Sequence, residues 1–549
     1  MKQRVIAMVL SAAMMVSLFT GCGQSGSAAS TATSTSTASV AGSTAAATVQ
    51  STSTDASDKS VTVGIDADPG SLAPYVVSST GMHEVYPTLY EYLFTMNEQG
   101  GELQPNVGES YEQTDDNTYR IKIFDNVYDS AGNHITSADI KWGFDAYKAT
   151  GNDANFENVD SVTVIDDYTT DWKFKNIELG SLATVMVDFP IVSQKAYEAS
   201  ADQMVEDPVT TGPYKVTQYV SGSSITMEKR DDYWQTDTTK IPQSSQANAD
   251  NITFKLIADA TQMANALKSG EIDMANSVSA TNISDFVDDS NNAKDGYYVQ
   301  PILSAATNIL FFNCDSSSPV NNQDFRQAIA YAIDTQAIVD GVLGGKGIAC
   351  STVGGECFPD FVKAWEDEDY YKQDLDKAKQ LLASSGYDTS RALTIICETD
   401  PNKTRACEII QAYLSQIGLT VNIQSYETAL FESTCEDASA WDMFMGYRGA
   451  GDYLASMWRW TFDARMRDGH TANFAVDDQL QSLLETCLDP DKHNDDSMTA
   501  FHEYLKEKCY AYGIWNAYSY ALGDSKVTGI KFSDVPYIVP NACTFTWNS

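Results

Sequence analysis

The sequence is poor in the residues and spacings that hold metal ions. Its ten cysteines include no CxxC pair, and its histidines show neither HxxxH nor HExxH spacing. There are only five histidines: His83, His134, His470, His493 and His502. Zinc proteins rely on closely spaced Cys and His ligands. We therefore predict no metal site and no cofactor.

Signatures of the common enzyme classes are missing as well. The sequence has no GxSxG elbow, no P-loop and no GxGxxG after a strand, and the glycines from Gly344 to Gly347 look like a turn. Adjacent carboxylates such as Asp231 and Asp232 are so frequent in this acidic chain that they do not identify a hydrolase. We therefore predict that the chain is not an enzyme.

Positive charge is scarce. The chain carries 35 basic and 75 acidic side chains, which gives a formal net charge of −40. That balance argues against a basic patch for nucleic acid or for an anionic membrane surface. The acids are spread along the chain, as on a well-solvated surface, with attraction of cationic ligands as the alternative.

Long apolar runs are absent except at the N-terminus. Two positive charges precede an apolar stretch from Val5 to Phe19, and Gly21 and Cys22 follow it. About 15 residues are too few to cross a bilayer, which needs roughly 20, so the pattern indicates an export signal. A cysteine after a small residue resembles a bacterial lipoprotein signal, in which Cys22 would carry the lipid, although Phe19 stands where such signals usually have Leu. An ordinary cleaved signal is the alternative.

Aromatic residues are absent between Phe19 and Tyr75, and the segment from Gly23 to Lys59 is almost entirely Ser, Thr, Ala and Gly. Such a composition has little apolar surface to bury, so we expect a disordered tether. As a flexible coil of about 36 residues it would span roughly 30–36 Å. We expect a signal peptide at 1–21, the lipidated cysteine and linker at 22–59, and a body held at the outer face of the cytoplasmic membrane, facing the periplasm in a diderm cell.

The cysteines after Cys22 number nine, so they cannot all be paired. Exported proteins usually pair their thiols. Cys350 and Cys357, in a loop-like segment, are the one pair that the sequence suggests. The alternative is that the cysteines are small buried hydrophobic residues.

Strands and helices alternate in the body, which at nearly 490 residues should form at least two lobes. A helix is predicted from Asp374 to Gly386, a strand at Leu393–Cys397, a helix ending at Gly418 and a strand at Leu419–Ile423. Strand, helix and strand at this spacing form a βαβ crossover with parallel strands. Ligands bind at the strand ends of such sheets, so two facing lobes would form a cleft.

Five groups of short sequence motifs resemble those of one family, the oligopeptide/dipeptide-type substrate-binding proteins of ABC transporters, also called solute-binding family 5. They occur in the family's order and are Leu89–Phe94 with Leu103–Asn106; Thr211–Lys215 with Met227–Trp234; Ala266–Asp273; Phe325–Asp334; and Asp376–Leu382. We expect most of these residues to be structural. Pro213 stiffens the entry to a strand, and Asn322 can cap a helix whose apolar face includes Phe325, Ile329 and Ile333.

The resemblance implies a periplasmic-binding-protein-like α/β fold with two lobes, a hinged cleft and an inserted accessory subdomain. By motif order the large lobe is 60–90, 206–307 and 516–549, the accessory subdomain is 91–205, and the second lobe is 308–515. Crossing segments near Ser304–Asn308 and Gly513–Tyr518 would form the hinge. The implied mechanism is closure over a ligand and delivery to a membrane permease, and we expect a monomer.

The resemblance implies a short peptide as the ligand. Peptide binders of this family place an Asp, after a turn in the second lobe, against the peptide α-ammonium. Asp452 and Tyr453 match that pattern, although the preceding turn is about two residues longer. Arg448 lies in the extension and could meet a ligand carboxylate bidentately. The alternative is that Arg448 and Asp452 pair with each other.

Three tryptophans flank this segment. Trp441 precedes it, and Trp458 and Trp460 follow it. Trp441 is a candidate ligand contact. Trp458 and Trp460 could line a side-chain pocket or a sugar platform, with core packing as the alternative for at least one of these two. The sequence also departs from the family at Ile123–Asn126, where a basic residue followed by Asp-Gly is usual, so ligand contacts from that loop do not transfer.

Other members of the family bind nickel chelates, oligosaccharides, opines and other solutes. The same transport role for such a solute is therefore one alternative. A surface-anchored hydrolase is another, and it would convert its ligand to products where a binder returns it unchanged.

Overall fold

The computed structural model describes residues 59–75, 82–96, 101–151, 154–275, 278, 280–449, 453–533, 539–544 and 546–547. They belong to one compact unit. Cys22 with its tether, and Asp452, lie outside the described residues. None of the helices in the described ranges is both long enough and apolar enough to cross a membrane.

The strands of these residues are short, apart from two of 14 and 16 residues. They are β1 (Ser60–Ile65), β2 (Phe94–Thr95), β3 (Gln104–Pro105), β4 (Gly108–Asp115), β5 (Thr118–Ile123), β6 (Val159–Asp166), β7 (Thr169–Phe174), β8 (Tyr214–Val220), β9 (Ser224–Lys229), β10 (Asn251–Leu256), β11 (Met274–Ala275), β12 (Tyr297–Phe312), β13 (Gly347–Ala349), β14 (Leu393–Glu398), β15 (Val421–Tyr426), β16 (Met443–Arg448), β17 (Ala511–Asp524), β18 (Val527–Thr528), β19 (Lys531–Ser533), β20 (Val539–Asn541) and β21 (Thr546–Trp547).

Most helices lie in the second half of the chain. They are α1 (Met82–Leu89), α2 (Ser137–Thr150), α3 (Ser181–Met186), α4 (Gln194–Ala199), α5 (Ala260–Ser269), α6 (Ala280–Ile283), α7 (Gln323–Ala332), α8 (Thr335–Leu343), α9 (Leu375–Ser385), α10 (Pro401–Gln416), α11 (Thr428–Cys435), α12 (Leu454–Phe462), α13 (Asp478–Leu488) and α14 (Asp495–Lys508). Together with the strands they form a mixed α/β fold.

One sheet runs through the body in the order β15-β14-β16-β12-β17-β11-β1-β10-β9-β8, with β13 added to β17. Its centre is the antiparallel pair of long strands β12 and β17. Their register is interrupted between Leu303 and Thr307, opposite Asn516–Tyr518. The sheet is therefore continuous in hydrogen bonding but irregular at its middle.

Separate apolar cores lie on the two sides of this irregularity. Strand β12 up to Ile302 packs with cores built from residues before 300 and after 517, whereas Ile309–Phe312 pack with two cores built from residues 309–515. A division into two lobes joined by β12 and β17 explains this separation, because each lobe buries its own apolar side chains. The domain boundaries and the hinge stay predictions.

A second sheet, β4-β5-β7-β6, is antiparallel and lies within the segment predicted to form the accessory subdomain. Helix α2 packs against β6 and β7. Trp172, fully buried, is in edge contact with Phe144 of α2 at 5.1 Å between ring centroids. The aromatic side chains of this layer are continuous with the apolar core around β1 and β10.

The predicted βαβ crossover is confirmed. Asp374 accepts the amide of Lys377 at 2.9 Å and caps α9, and β14 pairs with β15 in parallel. β15 begins two residues later than predicted, at Val421. The reason is that the amide of Leu419 closes the end of α10 by donating to the carbonyl of Leu414 at 3.1 Å.

Two of the family-like sequence motifs contain a buried arginine that holds the fold together. Arg230 donates to the carbonyls of Thr210 and Gly212 at 2.9 and 3.1 Å, so it ties the Gly-Pro turn to the end of β9. Arg326, in α7, donates to the carbonyls of Val320, Asn321, Lys508 and Cys509. Both motifs are therefore structural, as the sequence predicts.

The suggested disulfide between Cys350 and Cys357 is absent from the structure, which has both as free thiols. The thiol of Cys350 is buried and lies 3.2 Å from Oδ1 of Asn516. Burial raises the pKa of both thiols, that of Cys357 to about 12.

Candidate ligand-binding site

The parallel strands of the second core end at one edge of the sheet. β14, β15 and β16 end there at Glu398, Tyr426 and Arg448. In open α/β sheets ligands bind outside the carboxyl ends of the strands, so this edge is the candidate site. It also adjoins the irregular middle of the large sheet, because Arg448 pairs with Thr307.

Gly449 fixes how closely this edge approaches the crossing strand β12. A β-carbon at 449 would lie 2.5 Å from Cα of Ala306, which no side chain can occupy. Glycine therefore permits the backbone after Arg448 to touch β12 directly.

Tyr447 is the aromatic residue that this edge exposes most. Its side chain is 52% exposed, unusual for an aromatic ring in so large a protein. The Lys403 ammonium lies 4.7 Å from the ring centroid and pairs with the carboxylate of Glu398. The edge thus combines an exposed aromatic ring with a cation and an anion.

Arg448 is half-buried, and its guanidinium carbon lies 5.0 Å from the ring centroid of Phe311. It donates to the carbonyl of Tyr447 at 2.8 Å. Burial lowers the pKa of Arg448 to about 10, with repulsion from Arg467 as the second cause. Arg448 is still charged at neutral pH.

Arg467, in the loop after α12, is the neighbour that repels Arg448. It donates to the carbonyl of Trp460 at 2.9 Å, and burial lowers its pKa as well. The sequence gives no reason to single out Arg467, because it lies 19 positions after Arg448 without a motif. Both guanidiniums are therefore desolvated, and repulsion from Arg467 lowers the pKa of Arg448.

Tyr453 stands at the start of α12, half-buried, with its ring 6.1 Å from that of His493. Asp360 caps this helix by accepting the amides of Leu454 and Ala455 at 2.6 and 3.0 Å. Burial raises the pKa of Asp360. The first amides of α12 are thus occupied by the protein's own carboxylate.

A loop from the first half of the chain covers Tyr453. Gly180, in the left-handed conformation with φ of 77°, would place a β-carbon 3.4 Å from Cδ2 of Tyr453. The preceding Leu179 donates its amide to the carbonyl of Leu488 at 2.8 Å. Glu178 lies 3.1 Å from Arg459. The loop therefore contacts the second core by backbone, charge and packing together.

Asn516 joins the crossing strands at their irregular middle. Its fully buried amide donates to the carbonyl of Ser304 at 3.0 Å and to the hydroxyl of Thr307 at 2.9 Å. Sequence reasoning missed this residue, because a lone Asn in an apolar strand carries no recognisable signal.

Two of the tryptophans predicted as candidate ligand residues lie in the core. Trp458 is fully buried and donates to the carbonyl of Val353 at 2.6 Å. Trp441 is 3% exposed and packs edge-on against Phe444 at 4.9 Å. Both side chains therefore pack in the core, which for Trp458 was the alternative prediction. Tyr453 is half-buried at the start of α12, whereas these two rings are turned inward.

The family model described as "Bacterial extracellular solute-binding proteins, family 5 Middle" matches residues 102–468, more than half of the chain. The chain belongs to this family. Family 5 members bind solutes for ABC import and are not enzymes, which confirms the prediction made from the missing catalytic signatures.

Curated relatives of this family 5 protein differ in ligand. The nickel-binding protein NikA of Staphylococcus aureus is 24% identical over 451 residues, which are 80% of this chain and 85% of the relative. The dipeptide-binding protein of Escherichia coli strain K12 is 23% identical over 429 residues, 71% of this chain and 76% of the relative.

Solved structures share the fold. The substrate-binding protein CtaP of Listeria monocytogenes superposes with a TM-score of 0.74 at 19% identity, covering 90% of this chain and 100% of the other. The oligopeptide-binding protein AppA of Bacillus subtilis, in complex with a nonapeptide, gives 0.68 at 18% identity, covering 89% and 99%. The family 5 protein therefore has the mixed α/β periplasmic-binding-protein fold that the sequence predicts.

One group of side chains in this family 5 protein has the composition of a metal site. Glu368, His502 and Glu503 converge, but the ammonium of Lys506 lies between the carboxylates, 2.5 Å from Glu368 and 2.8 Å from Glu503. Burial lowers the pKa of His502 to about 4, so the ring is neutral. The lysine already compensates the negative charge of this group.

Proposed function

We propose that this family 5 protein captures short peptides between two lobes and delivers them to the permease of an ABC importer. The observation that supports a peptide most is the charge at the candidate edge. Arg448 offers a positive charge, and the Lys403–Glu398 pair offers a positive and a negative charge. Tyr447 offers an exposed aromatic ring. A short peptide is a zwitterion with side chains, so it matches this combination.

The relatives support the same choice. Those named for dipeptides and for di- and tripeptides match 71% and 66% of this chain. Structures of similar fold include complexes with the dipeptide Met-Leu and with the peptide STSA. Other relatives are named for nickel and heme, and another structure holds agropinic acid, so these classes are the competitors to be tested.

Arg448 and Asp452 are proposed to hold the two ends of the peptide. Arg448 would bind a ligand carboxylate through its fork of N–H donors. Asp452, which directly precedes Tyr453, would accept from the α-ammonium. Tyr453 would line the space between them.

Delivery is proposed to depend on two further features. The irregular segment of β12 and β17, joined by Asn516, would act as the hinge between lobes. Cys22 would carry the lipid that anchors the protein at the outer face of the cytoplasmic membrane. A Cys22→Ala variant that stays in the membrane fraction would rule out this anchor.

The function is tested by thermal shift with a panel of matched solutes, combined with native mass spectrometry of freshly purified protein. The panel holds di- to pentapeptides, an oligosaccharide, an opine and a nickel chelate. A true ligand at 100 times its Kd should stabilise the folded state by about 2.7 kcal/mol. We expect the peptides to raise the Tm. A shift from another class, with none from peptides, would overturn the peptide assignment and keep the transport role.

The proposed role of Asp452 is tested by calorimetry with a free peptide and its N-acetylated form. Asp452→Asn should weaken binding of the free peptide roughly 30-fold or more, because removing one member of a buried charged pair costs about 2–5 kcal/mol. The acetylated peptide should bind the wild type poorly and lose little more in the variant. Equal losses for both peptides would make Asp452 a structural residue.

A further inference from the structure

One buried imidazole nitrogen is left without a partner. His502, in α14, is 1% exposed, and its Nε2 atom has no hydrogen-bond partner among the residues that the structure describes. A buried polar atom that stays unsatisfied destabilises the fold, so each one in a native protein needs an explanation, such as an ion that completes it. The surroundings of Nε2 show what this atom can bind.

The ring of His502 is held in place from two sides. It stacks on Trp365 with 4.4 Å between ring centroids and 16° between ring planes. Nδ1 lies 2.9 Å from the hydroxyl oxygen of Thr352, which can accept its proton. In that tautomer Nε2 carries the lone pair, and burial, which lowers the pKa of His502 to about 4, keeps the ring neutral. Histidines that bind metals are oriented in the same way, by a hydrogen bond at the other ring nitrogen.

Two carboxylates converge on this lone pair. Oε2 of Glu368 lies 3.6 Å from Nε2 and Oε1 of Glu503 lies 4.0 Å from it, and ligand atoms of the three residues all lie within 4.8 Å of one another. Ligands of one tetrahedral zinc ion stand about 3.3–3.6 Å apart, because each bond is about 2.0–2.2 Å long. The side chain of Glu503 is 50% exposed, so it is free to make the small movement that remains.

The ammonium of Lys506 stands between the carboxylates, where such an ion would bind. It lies 2.5 Å from Glu368 and 2.8 Å from Glu503, yet Nε2 receives no hydrogen bond from it. The lysine therefore satisfies two of the three groups, whereas a divalent cation satisfies all three. Lys506 lines a cavity of about 530 Å³ together with Asp369 and Glu507. The cavity gives an ion a path of entry and gives the displaced ammonium two other acids to approach.

We propose that Glu368, His502 and Glu503 bind a divalent metal ion with the ligand preference of Zn²⁺, and that Lys506 leaves the site when the ion binds. One nitrogen and two oxygen ligands suit Zn²⁺ better than Mg²⁺ or Ca²⁺, which take oxygen ligands. The spacing of Cys and His residues could not indicate this site, because Glu368 and His502 are 134 positions apart. The ion would tie α14 to the segment before α9, and the proposed peptide function uses none of these residues.

The test is calorimetry with Zn²⁺ on the full chain, after treatment with a chelator and exchange into metal-free buffer. We expect the wild type to bind one tight equivalent of Zn²⁺ and its Tm to rise with the Zn²⁺ concentration, whereas Mg²⁺ should have neither effect. Glu503→Gln should weaken Zn²⁺ binding at least about tenfold, since even changes beside the direct ligands commonly cost about 10–100-fold in affinity. His502→Phe, which keeps an aromatic ring against Trp365, should weaken it at least as much. Lys506→Met should tighten binding, because no ammonium competes with the ion.

Glu507→Gln is the matched control. Glu507 is exposed on the same helix, lines the same cavity and pairs with Lys508. It should keep the wild-type affinity for Zn²⁺, and thermal melts without metal show that each variant is folded. Absence of Zn²⁺ binding by the wild type would make Lys506 the permanent partner and overturn the site, even if Lys506→Met binds the ion. Wild-type affinity in Glu503→Gln, or equal losses in Glu503→Gln and Glu507→Gln, would mean adventitious binding to the acidic surface and would overturn it as well.

Discussion

Arg326 and Arg448 lie in regions built on the same sheet, and each guanidinium covers an aromatic ring. Arg326 lies 5.1 Å from the ring centroid of Tyr510, and Arg448 lies 5.0 Å from that of Phe311. The regions differ in what completes each environment. Arg326 donates five hydrogen bonds to four backbone carbonyls, whereas Arg448 donates one, to Tyr447.

The difference separates structural charge from charge available for binding. The carbonyls around Arg326 close α14 and the turn before α7, and they have found their donor in the folded protein. Around Arg448 the described residues offer one hydrogen-bond acceptor, the carbonyl of Tyr447, so most of its N–H donors have no acceptor among them. A buried polar group that is satisfied stabilises the fold, and one that is unsatisfied destabilises it.

Arg326→Gln should lower the free energy of unfolding, and by more than a substitution of Arg448 does. A glutamine reaches fewer of the four carbonyls, and leaving a buried acceptor without its donor costs about 1–3 kcal/mol. We therefore expect the free energy of unfolding to fall by at least about 3 kcal/mol, measured by urea denaturation. Affinity for a bound peptide should change little in the fraction that stays folded.

Arg405→Gln provides the control for that measurement, because Arg405 is exposed and pairs only with a neighbour on its own helix. Surface substitutions of this kind usually stay within about 0.5 kcal/mol. If Arg326→Gln is as mild as Arg405→Gln, the carbonyl shell of Arg326 does not stabilise the fold and the comparison fails.

Local features of this fold follow from short-range patterns. Asp374 and Asn322 are predicted as helix caps from residue type and position, and each accepts the amide three residues on. Parallel pairing of β14 with β15 follows from the length of the helix between them. Such features depend on a few neighbouring residues, so the sequence displays them directly.

Contacts between segments that are distant in the sequence cannot be predicted from such short-range patterns. Asn516 binds the carbonyl of Ser304 across 212 positions, and Asp360 caps α12 across 94. Neither residue type is unusual, and only the folded chain brings the partners together. The same limit applies to Trp458, since a large aromatic side chain suits a core and a ligand pocket equally well.

Whether a charged side chain is neutralised inside the protein is a third kind of feature. It can be judged only when the neighbours of that side chain in the folded chain are known. The sequence singles out Arg448 through its position beside Asp452, but it does not show whether a carboxylate neutralises it. Arg467 has no sequence signal at all. Only the folded structure shows that no described carboxylate lies within ion-pair distance of Arg448, whose guanidinium covers the Phe311 ring.

Arg448→Gln gives the smallest change in stability and the sharpest test of the comparison. Without ligand, removing this desolvated cation also removes its repulsion by Arg467, while the single hydrogen bond to the Tyr447 carbonyl can be replaced by the glutamine amide. We expect the free energy of unfolding to stay within about 0.5 kcal/mol of wild type or to rise by up to about 1 kcal/mol. Urea denaturation of ligand-free protein measures this value.

The same variant should lose the effect of ligand that the wild type shows. A peptide at 100 times its wild-type Kd stabilises wild type by about 2.7 kcal/mol, and a tenfold weaker Kd would reduce this to about 1.4 kcal/mol. Arg448→Gln should therefore match wild type without peptide and fall below it with peptide, whereas Arg326→Gln should fall below it in both conditions. A large loss of stability in ligand-free Arg448→Gln would mean that Arg448, like Arg326, is a structural residue whose partner lies inside the protein.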